Sequence, residues 1–306
     1  MTNYIARRLI FSVFVLWGAL TVVFVAVRAV PGDPAQMMLG SSATAADVEV
    51  LREKLGLNRP LLVQYATYMI QTLQLDLGES LRMSQPATAL VAERLPVTGK
   101  LALTAILLAI LMSFPLGIAA ALRPGSLLDG VVSTVSLLGQ SMPGFWTGIM
   151  FILVFARNLR LLPSAGDAGW SSLILPSLTV ALPLVGVLTR LVRSGLLDVL
   201  DEDYVRTARA KGLPSQTVMW RHVMRNMLIP VVTVAGLQIG QLLGGAVITE
   251  TVFAWPGVGL LLVDAITNRD YPLVQAAILY ITATFVAINF LVDLSYGALD
   301  PRIRLQ

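Results

Sequence analysis

Cysteine is absent from the 306 residues and histidine occurs once, at His222. The first absence excludes disulfides, thiol nucleophiles and cysteine-built zinc or iron–sulfur sites, and the second removes most of the remaining metal-site and acid–base chemistry. Charge is scarce as well. Only 13% of residues are charged, where a soluble domain carries about 25%. By contrast 56% are hydrophobic and the mean hydropathy is +0.76. With 22 basic and 18 acidic side chains the chain cannot dress a water-facing surface of its length, so it reads as one membrane domain over residues 1–306. No Gly-x-x-x-x-Gly-Lys-Ser/Thr phosphate loop occurs, since Gly99-Lys100 is followed by Leu101 and opens an apolar stretch. There is no His-Glu-x-x-His, and Ser141 has no histidine in its own apolar stretch to activate it. ATP hydrolysis, metalloprotease chemistry and intramembrane proteolysis are therefore not expected of this chain, nor is a metal or cofactor site.

What is present is a set of long apolar runs. Six are able to cross a hydrocarbon core about 30 Å thick, which takes about 20 helical residues: 9–30, 97–122, 131–155, 173–191, 229–252 and 276–298. The spacing predicts an all-α integral membrane protein with six transmembrane helices, both termini cytoplasmic, and a long periplasmic segment between the first two. Pro176 and Pro183 fall inside the fourth run, where proline is tolerated if neighbours satisfy the freed backbone groups. Arg7 and Arg8 precede the first run, which ends at Arg28-Ala29-Val30-Pro31-Gly32-Asp33-Pro34 without a small-x-small cleavage site, so it reads as a retained anchor. With the termini inside, the inner segments hold Arg7, Arg8, Arg123, Arg190, Arg193, Arg206, Arg209, Lys211, Arg221, Arg225, Arg302 and Arg304. The two short outer loops hold only Arg157, Arg160 and Arg269, the asymmetry of the positive-inside rule. The net charge of +4 thus reports membrane orientation, and no nucleic acid is expected as a partner.

Two segments outside the runs stand out. Residues 31–96 form the one sizeable extramembrane piece, with 44–57 and 61–75 reading as short amphipathic helices parted by Gly56-Leu57-Asn58-Arg59-Pro60. It suits a cap on the outer mouth or a surface-packed connector. Residues 193–228 form an inner loop far longer than a turn. Within it, Asp201 or Asp203 can cap a helix over 204–211, Gly212 can stop it, and Ser215 can start a second helix to about Met227. Such a basic pair of helices is a docking element, a lipid-headgroup surface or a solvated face.

That loop also carries a resemblance. Asp203-Tyr204-Val205-Arg206-Thr207-Ala208-Arg209-Ala210-Lys211-Gly212-Leu213, followed by Arg221-His222-Val223-Met224-Arg225 and Pro230, resembles the cytoplasmic signature of bacterial ATP-binding-cassette importer permeases, in particular the dipeptide/oligopeptide/nickel family. Tyr4 to Arg8, Pro31 to Pro34, Phe253 to Gly259, Arg269 to Pro272 and Leu299 to Arg302 extend the likeness over nearly the whole chain. One departure is that Arg206 stands where the generic importer motif has glutamate, with Thr207 and Ala208 at its two alanines. The resemblance implies a second homologous permease, two ATP-binding subunits that hold ATP and magnesium, and an extracytoplasmic solute-binding protein. It implies ATPase coupling through Tyr204, Arg206, Ala208, Arg209, Lys211, Gly212, His222 and Arg225, and a bacterial inner-membrane location. The cargo class it implies is di- or oligopeptides, with glutathione or a nickel chelate as alternatives.

Polar residues inside apolar runs are costly and point to the bundle interior or a water path. Gln140, Ser141, Gln238, Gln241 and Asn289 are candidates for the translocation path or for interhelical hydrogen bonds, and Asp293 lies with them on the last run. Gly236, Gly240 and Gly244 repeat every four residues, as in close helix packing. Pro143-Gly144-Phe145-Trp146 interrupts the third run as a hinge candidate. Trp255, Pro256 and Gly257 follow the fifth and, with Glu250 at its end, suit an outer gate or an interfacial anchor and turn. A proton-coupled carrier would place acids at mid-membrane, whereas most acids here lie at the ends of the runs.

Overall fold

Alternation of long apolar runs with short Gly/Pro breaks produces an almost wholly helical chain. The computed structural model describes residues 2–29, 33–39, 43–54, 56–80 and 82–299. In chain order the helices are α1 (Thr2–Ala29), α2 (Pro34–Leu39), α3 (Ala45–Lys54), α4 (Leu61–Leu73), α5 (Ala87–Ala121), α6 (Leu127–Ser141), α7 (Gly144–Phe151), α8 (Trp170–Leu200), α9 (Asp203–Ala210), α10 (Ser215–Thr217), α11 (Met224–Val252), α12 (Val258–Thr267) and α13 (Tyr271–Leu299). Wider π-type turns continue α7 over Ile152–Asn158 and join α10 to α11 over Val218–Val223. A two-residue hairpin, β1 (Glu79–Ser80) and β2 (Gln85–Pro86), pairs antiparallel between α4 and α5. Four helices, α1, α5, α8 and α13, are each long and apolar enough to cross a membrane among the described residues, and the α6–α7 pair is a bent fifth candidate.

The run at 131–155, expected as one span, is broken. Helix α6 ends at Ser141, Met142 is extended, and α7 leaves at 108°. Pro143 is the physical reason: its ring forces the preceding residue out of the helical region, and it has no N–H to continue the ladder. The opposite holds for the fourth run, where α8 continues unbroken through Pro176 and Pro183 for 31 residues and reaches Leu200. Its most apolar window is 72% buried, against 11% for α1, so neighbouring helices surround the prolines as tolerance requires.

The described residues divide into two compact units: 99–255 with 291–299, and 2–98 with 256–290. In the first, α8 packs against α6 and α11 around Leu184, Leu188, Val192, Leu196, Val223 and Met227. In the second, Leu20 and Phe24 of α1, Tyr68 of α4, Leu90 and Val91 of α5, Leu261 of α12 and Leu273 of α13 share a core. There the connection between the last two runs, expected as a short outer loop, contains α12. At 10 residues it is apolar yet spans only about 15 Å, too short to register as a crossing helix.

Local chemistry fixes the short helices between α1 and α5. Thr44 and Asp47 form a reciprocal cap on α3, with the Thr44 hydroxyl donating to the Asp47 carboxylate at 2.6 Å and the Asp47 amide donating to Thr44 Oγ1 at 3.3 Å. The Thr44 hydrogen bonds hold the Asp47 carboxyl below its ordinary value. Because that value is depressed on folding, the cap contributes fully above the unfolded carboxylate pKa of about 3.9 and fades as pH falls through the lower folded one. Ser80 Oγ donates to Asp270 at 2.5 Å and Arg82 to Asn268, tying the hairpin to the loop before α13.

Candidate functional site

The basic loop at 193–228, expected on the cytoplasmic side, is built on two hydrogen-bonded turns and one continuous helix. Glu202 takes the N-cap position of α9 rather than Asp201 or Asp203, and no side chain caps it. Asp203 is already inside the first turn, where its carboxylate accepts from Arg206 at 3.3 Å. At the other end the Leu213 amide donates to the Ala208 carbonyl at 3.3 Å and the Gly212 amide to the Arg209 carbonyl at 2.9 Å. This is a Schellman stop, with Gly212 left-handed at φ +76°. Pro214 then blocks any continuation of the helix. From Ser215 the chain is helical through the π-type turn and on to Val252, so the second docking helix does not end near Met227 as expected. No glycine stands there to stop it.

Val205 and Ala208 are buried on one side of α9 and pack in the same core as Val218, Val223, Met224 and Met227 and the inner end of α8. The Tyr204 hydroxyl accepts from Asn226 Nδ2 at 2.9 Å, pinning α9 to α11. Arg206, Arg209, Lys211, Arg221 and Arg225 are exposed and His222 is half-buried. The apolar side of the element is thus spent on the helical bundle and the basic side is left outward. Trp220, 68% exposed beside Arg221, was not singled out from the sequence. Its signal was an aromatic set within a basic run.

A second feature escaped sequence reasoning. Arg193 Nε and Nη2 donate to Asp129 Oδ1 and Oδ2 at 2.5 and 2.8 Å, a bidentate pair that fastens the start of α6 to α8. Asp129 also accepts from the Gly125 amide at 3.0 Å. The lone acid opening the third run was the available hint. Replacing Asp129 with alanine is expected to lower the thermal midpoint of the purified protein by more than the paired Asp129→Asn/Arg193→Gln change, since the single variant strands the guanidinium. Equal midpoints in the two variants would show that the unpaired guanidinium carries no penalty, and midpoints equal to wild type in both would show that the pair carries no stability.

The intramembrane candidates separate. Gln140 and Ser141 are exposed at the bend after α6, with the Ser141 hydroxyl donating to the Leu137 carbonyl at 2.8 Å. Gln238 is half-buried on α11. The side chains of Gln241 and Asp293, with Gly240 and Gly244, lie outside the described residues. Asn289 of α13, in the other unit, donates to its own helix at the Phe285 carbonyl, 2.9 Å away. At the outer candidates, Glu250 and Trp255 are both fully buried, and the Trp255 amide donates to the Glu250 carbonyl at 2.8 Å. The Lys100 ammonium sits 5.5 Å from the ring centres of both Trp255 and Trp170 and 3.5 Å from Asp167, a cation held between aromatic faces. The Pro256 carbonyl accepts from Arg94 at 3.2 Å, and Gly257 is buried as the N-cap of α12.

Residues 113–305 match the family model for the binding-protein-dependent transport system inner membrane component, and residues 1–102 match its N-terminal counterpart. The chain belongs to this permease family. The permease is 41% identical over 306 residues, the whole of both chains, to the glutathione transport system permease protein GsiC of Escherichia coli (strain K12) and to that of Salmonella typhi. Among solved structures it is similar to the inward-facing MetNI methionine ABC transporter, with TM-score 0.54 and 18% identity over 69% of this chain and 96% of that one. An amino acid ABC transporter crystallised with histidines aligns at TM-score 0.50 and 16% identity, over 69% and 91% of the two chains. These structural likenesses concern the fold. The protein is a multi-pass inner-membrane permease of an ATP-driven importer and a transport subunit rather than an enzyme.

Proposed function

We propose that the permease forms half of a translocation path for small peptides, glutathione among them, delivered by an extracytoplasmic solute-binding protein. A second homologous permease supplies the other half, and two ATP-binding subunits hold the ATP and magnesium. The six crossings are α1, α5, the bent α6–α7 pair, α8, α11 and α13, with both termini in the cytoplasm. The observation that carries the reading is the inner element, 203–223: its apolar side is buried in the bundle, its cationic side is open, and it runs without a break into the 29 residues of α11. A motor that seats on that face moves a rigid rod directly; Tyr204, Arg206, Arg209, Lys211, Gly212, His222 and Arg225 are its coupling set, with Ala208 serving from the buried side by holding α9 to the bundle. Glutathione is favoured within the peptide class by full-length relatives that are glutathione permeases. Uncharged Gln140, Ser141, Gln238 and Asn289 suit a path that passes amide groups without trapping them, and the buried Glu250–Trp255 corner suits an outer closure.

Uptake in vesicles reconstituted with the partner subunits tests the assignment: glutathione and dipeptides should compete for one ATP-dependent flux, and flux without the ATP-binding subunits would reject it. Reversing Arg206 and Arg209 to glutamate together should weaken retention of the ATP-binding subunits on purification by about tenfold, equivalent to about 1.4 kcal/mol. Full retention would reject that face as the contact.

A further inference from the structure

The second unit holds a cavity lined by none of the candidate path, gate or coupling residues. It has a volume of about 630 Å³ and lies between the outer end of α1, helix α4, the β1–β2 hairpin and the start of α13. That volume falls within the roughly 300–1,000 Å³ of ordinary ligand pockets. Arg28 lies on its wall, half-buried. Its Nε donates to Gln64 at 3.0 Å and its guanidinium carbon rests 3.6 Å from the centre of the Phe24 ring, so stacking and one amide fix the side chain. Only the Phe24 carbonyl, at 3.5 Å, meets an Nη atom, and no carboxylate pairs with Arg28 among the described residues. The nearby Asp33 is occupied by Arg52 at 3.1 Å. A half-buried guanidinium held in place with donors to spare is an unfinished bidentate site. The lining is not uniformly cationic, however, because exposed Glu53, Asp76 and Glu79 also line the cavity.

We propose that this cavity binds a small zwitterion bearing a free carboxylate and an ammonium, with the carboxylate on the open edge of Arg28 and the ammonium toward Glu53, Asp76 and Glu79. A short peptide or amino-acid-like solute has that chemistry. So does a phosphatidylethanolamine headgroup, with phosphate in place of carboxylate. The aqueous solute is favoured because three exposed carboxylates and the polar hairpin line the cavity, rather than an apolar wall for acyl chains. The assignment is independent of the coupling element: it requires binding at the second unit and no ATP-driven step.

The test is calorimetric titration of the full-length permease, purified with its partner subunits but freed of the soluble binding protein, with alanyl-alanine as probe. Wild type should bind, the C-terminal amide of the same dipeptide should bind roughly tenfold more weakly, and Arg28→Met should lose the discrimination between them. Because Arg28 also packs on Phe24, the exposed pair Asp76→Lys/Glu79→Lys provides the second arm. It should weaken alanyl-alanine but leave N-acetyl-alanyl-alanine, which lacks the ammonium, unchanged or tighter. Equal affinity of acid and amide for wild type, or unaltered binding by both variants, overturns the proposal. Displacement of the dipeptide by lysophosphatidylethanolamine at lower concentration than by free peptide overturns the solute in favour of lipid.

Discussion

Replacing Gly212 with valine is expected to cut ATP-driven uptake by roughly tenfold or more while membrane insertion and subunit assembly persist. The residue sits at φ +76° with no atom within 4 Å of where a Cβ would lie. Space is therefore not the constraint, and backbone conformation is. A β-branched residue in the left-handed region costs about 1–2 kcal/mol, and here that strain falls on the two Schellman hydrogen bonds that set the angle between α9 and the rod running into α11. About 1–2 kcal/mol changes the population of a two-state element by roughly 5- to 30-fold. Asparagine tolerates the left-handed region far better, so Gly212→Asn should retain most uptake. Measured side by side in vesicles, equal loss in both variants would point to a side-chain clash with a partner, and equal activity in both would mean the turn does not transmit force.

Much of the inner element was legible because its punctuation is chemical. Gly212, which has no Cβ to clash in the left-handed region, reads as a helix stop and is one, whereas the burial of Val205 and Ala208 against the bundle came only with the structure. The break at Met142–Pro143 was legible for the same reason. The helix expected over 44–57 is there as α3, and the Thr44–Asp47 cap that starts it is a local pair the structure adds. What could not be read were features that depend on long-range pairing. Arg193 and Asp129 are 64 positions apart, and nothing local distinguishes this arginine from the other basic residues of the inner face. Residue type alone likewise does not say that Trp255 and Glu250 are buried within the chain, since an interfacial tryptophan and a solvated acid have the same composition. The small-residue repeat at Gly236, Gly240 and Gly244 drew attention to α11, whereas the tightest described approaches fall at glycines with no such repeat.

Gly186 is the clearest of these, and Gly186→Ala is expected to destabilise the first unit by about 3 kcal/mol, the upper end of overpacking costs. A Cβ on this residue of α8 would fall well inside contact distance of the Ser136 carbonyl oxygen and 3.2 Å from the Gln140 backbone nitrogen. Both are main-chain atoms of α6, so no side chain can turn aside and the helix itself must shift. Helices in a bilayer gain little from apolar burial between them and rely on such close backbone approach. The shift would also act on Asp129, whose bidentate bond to Arg193 joins the same two helices. Two other glycines set the scale. At Gly139 the nearest atom to an added Cβ is Leu182 Cγ at 3.3 Å, a side chain able to adjust, and at Gly130 nothing lies within 4 Å. Thermal melts of the purified complex should therefore rank Gly130→Ala as nearly neutral, Gly139→Ala as mild and Gly186→Ala as severe, with Gly186→Val failing to yield folded protein. A Gly186→Ala melt that matches Gly130→Ala would mean that α6 and α8 do not approach at this point, and the packing that carries the bent pair against α8 would have to be redrawn.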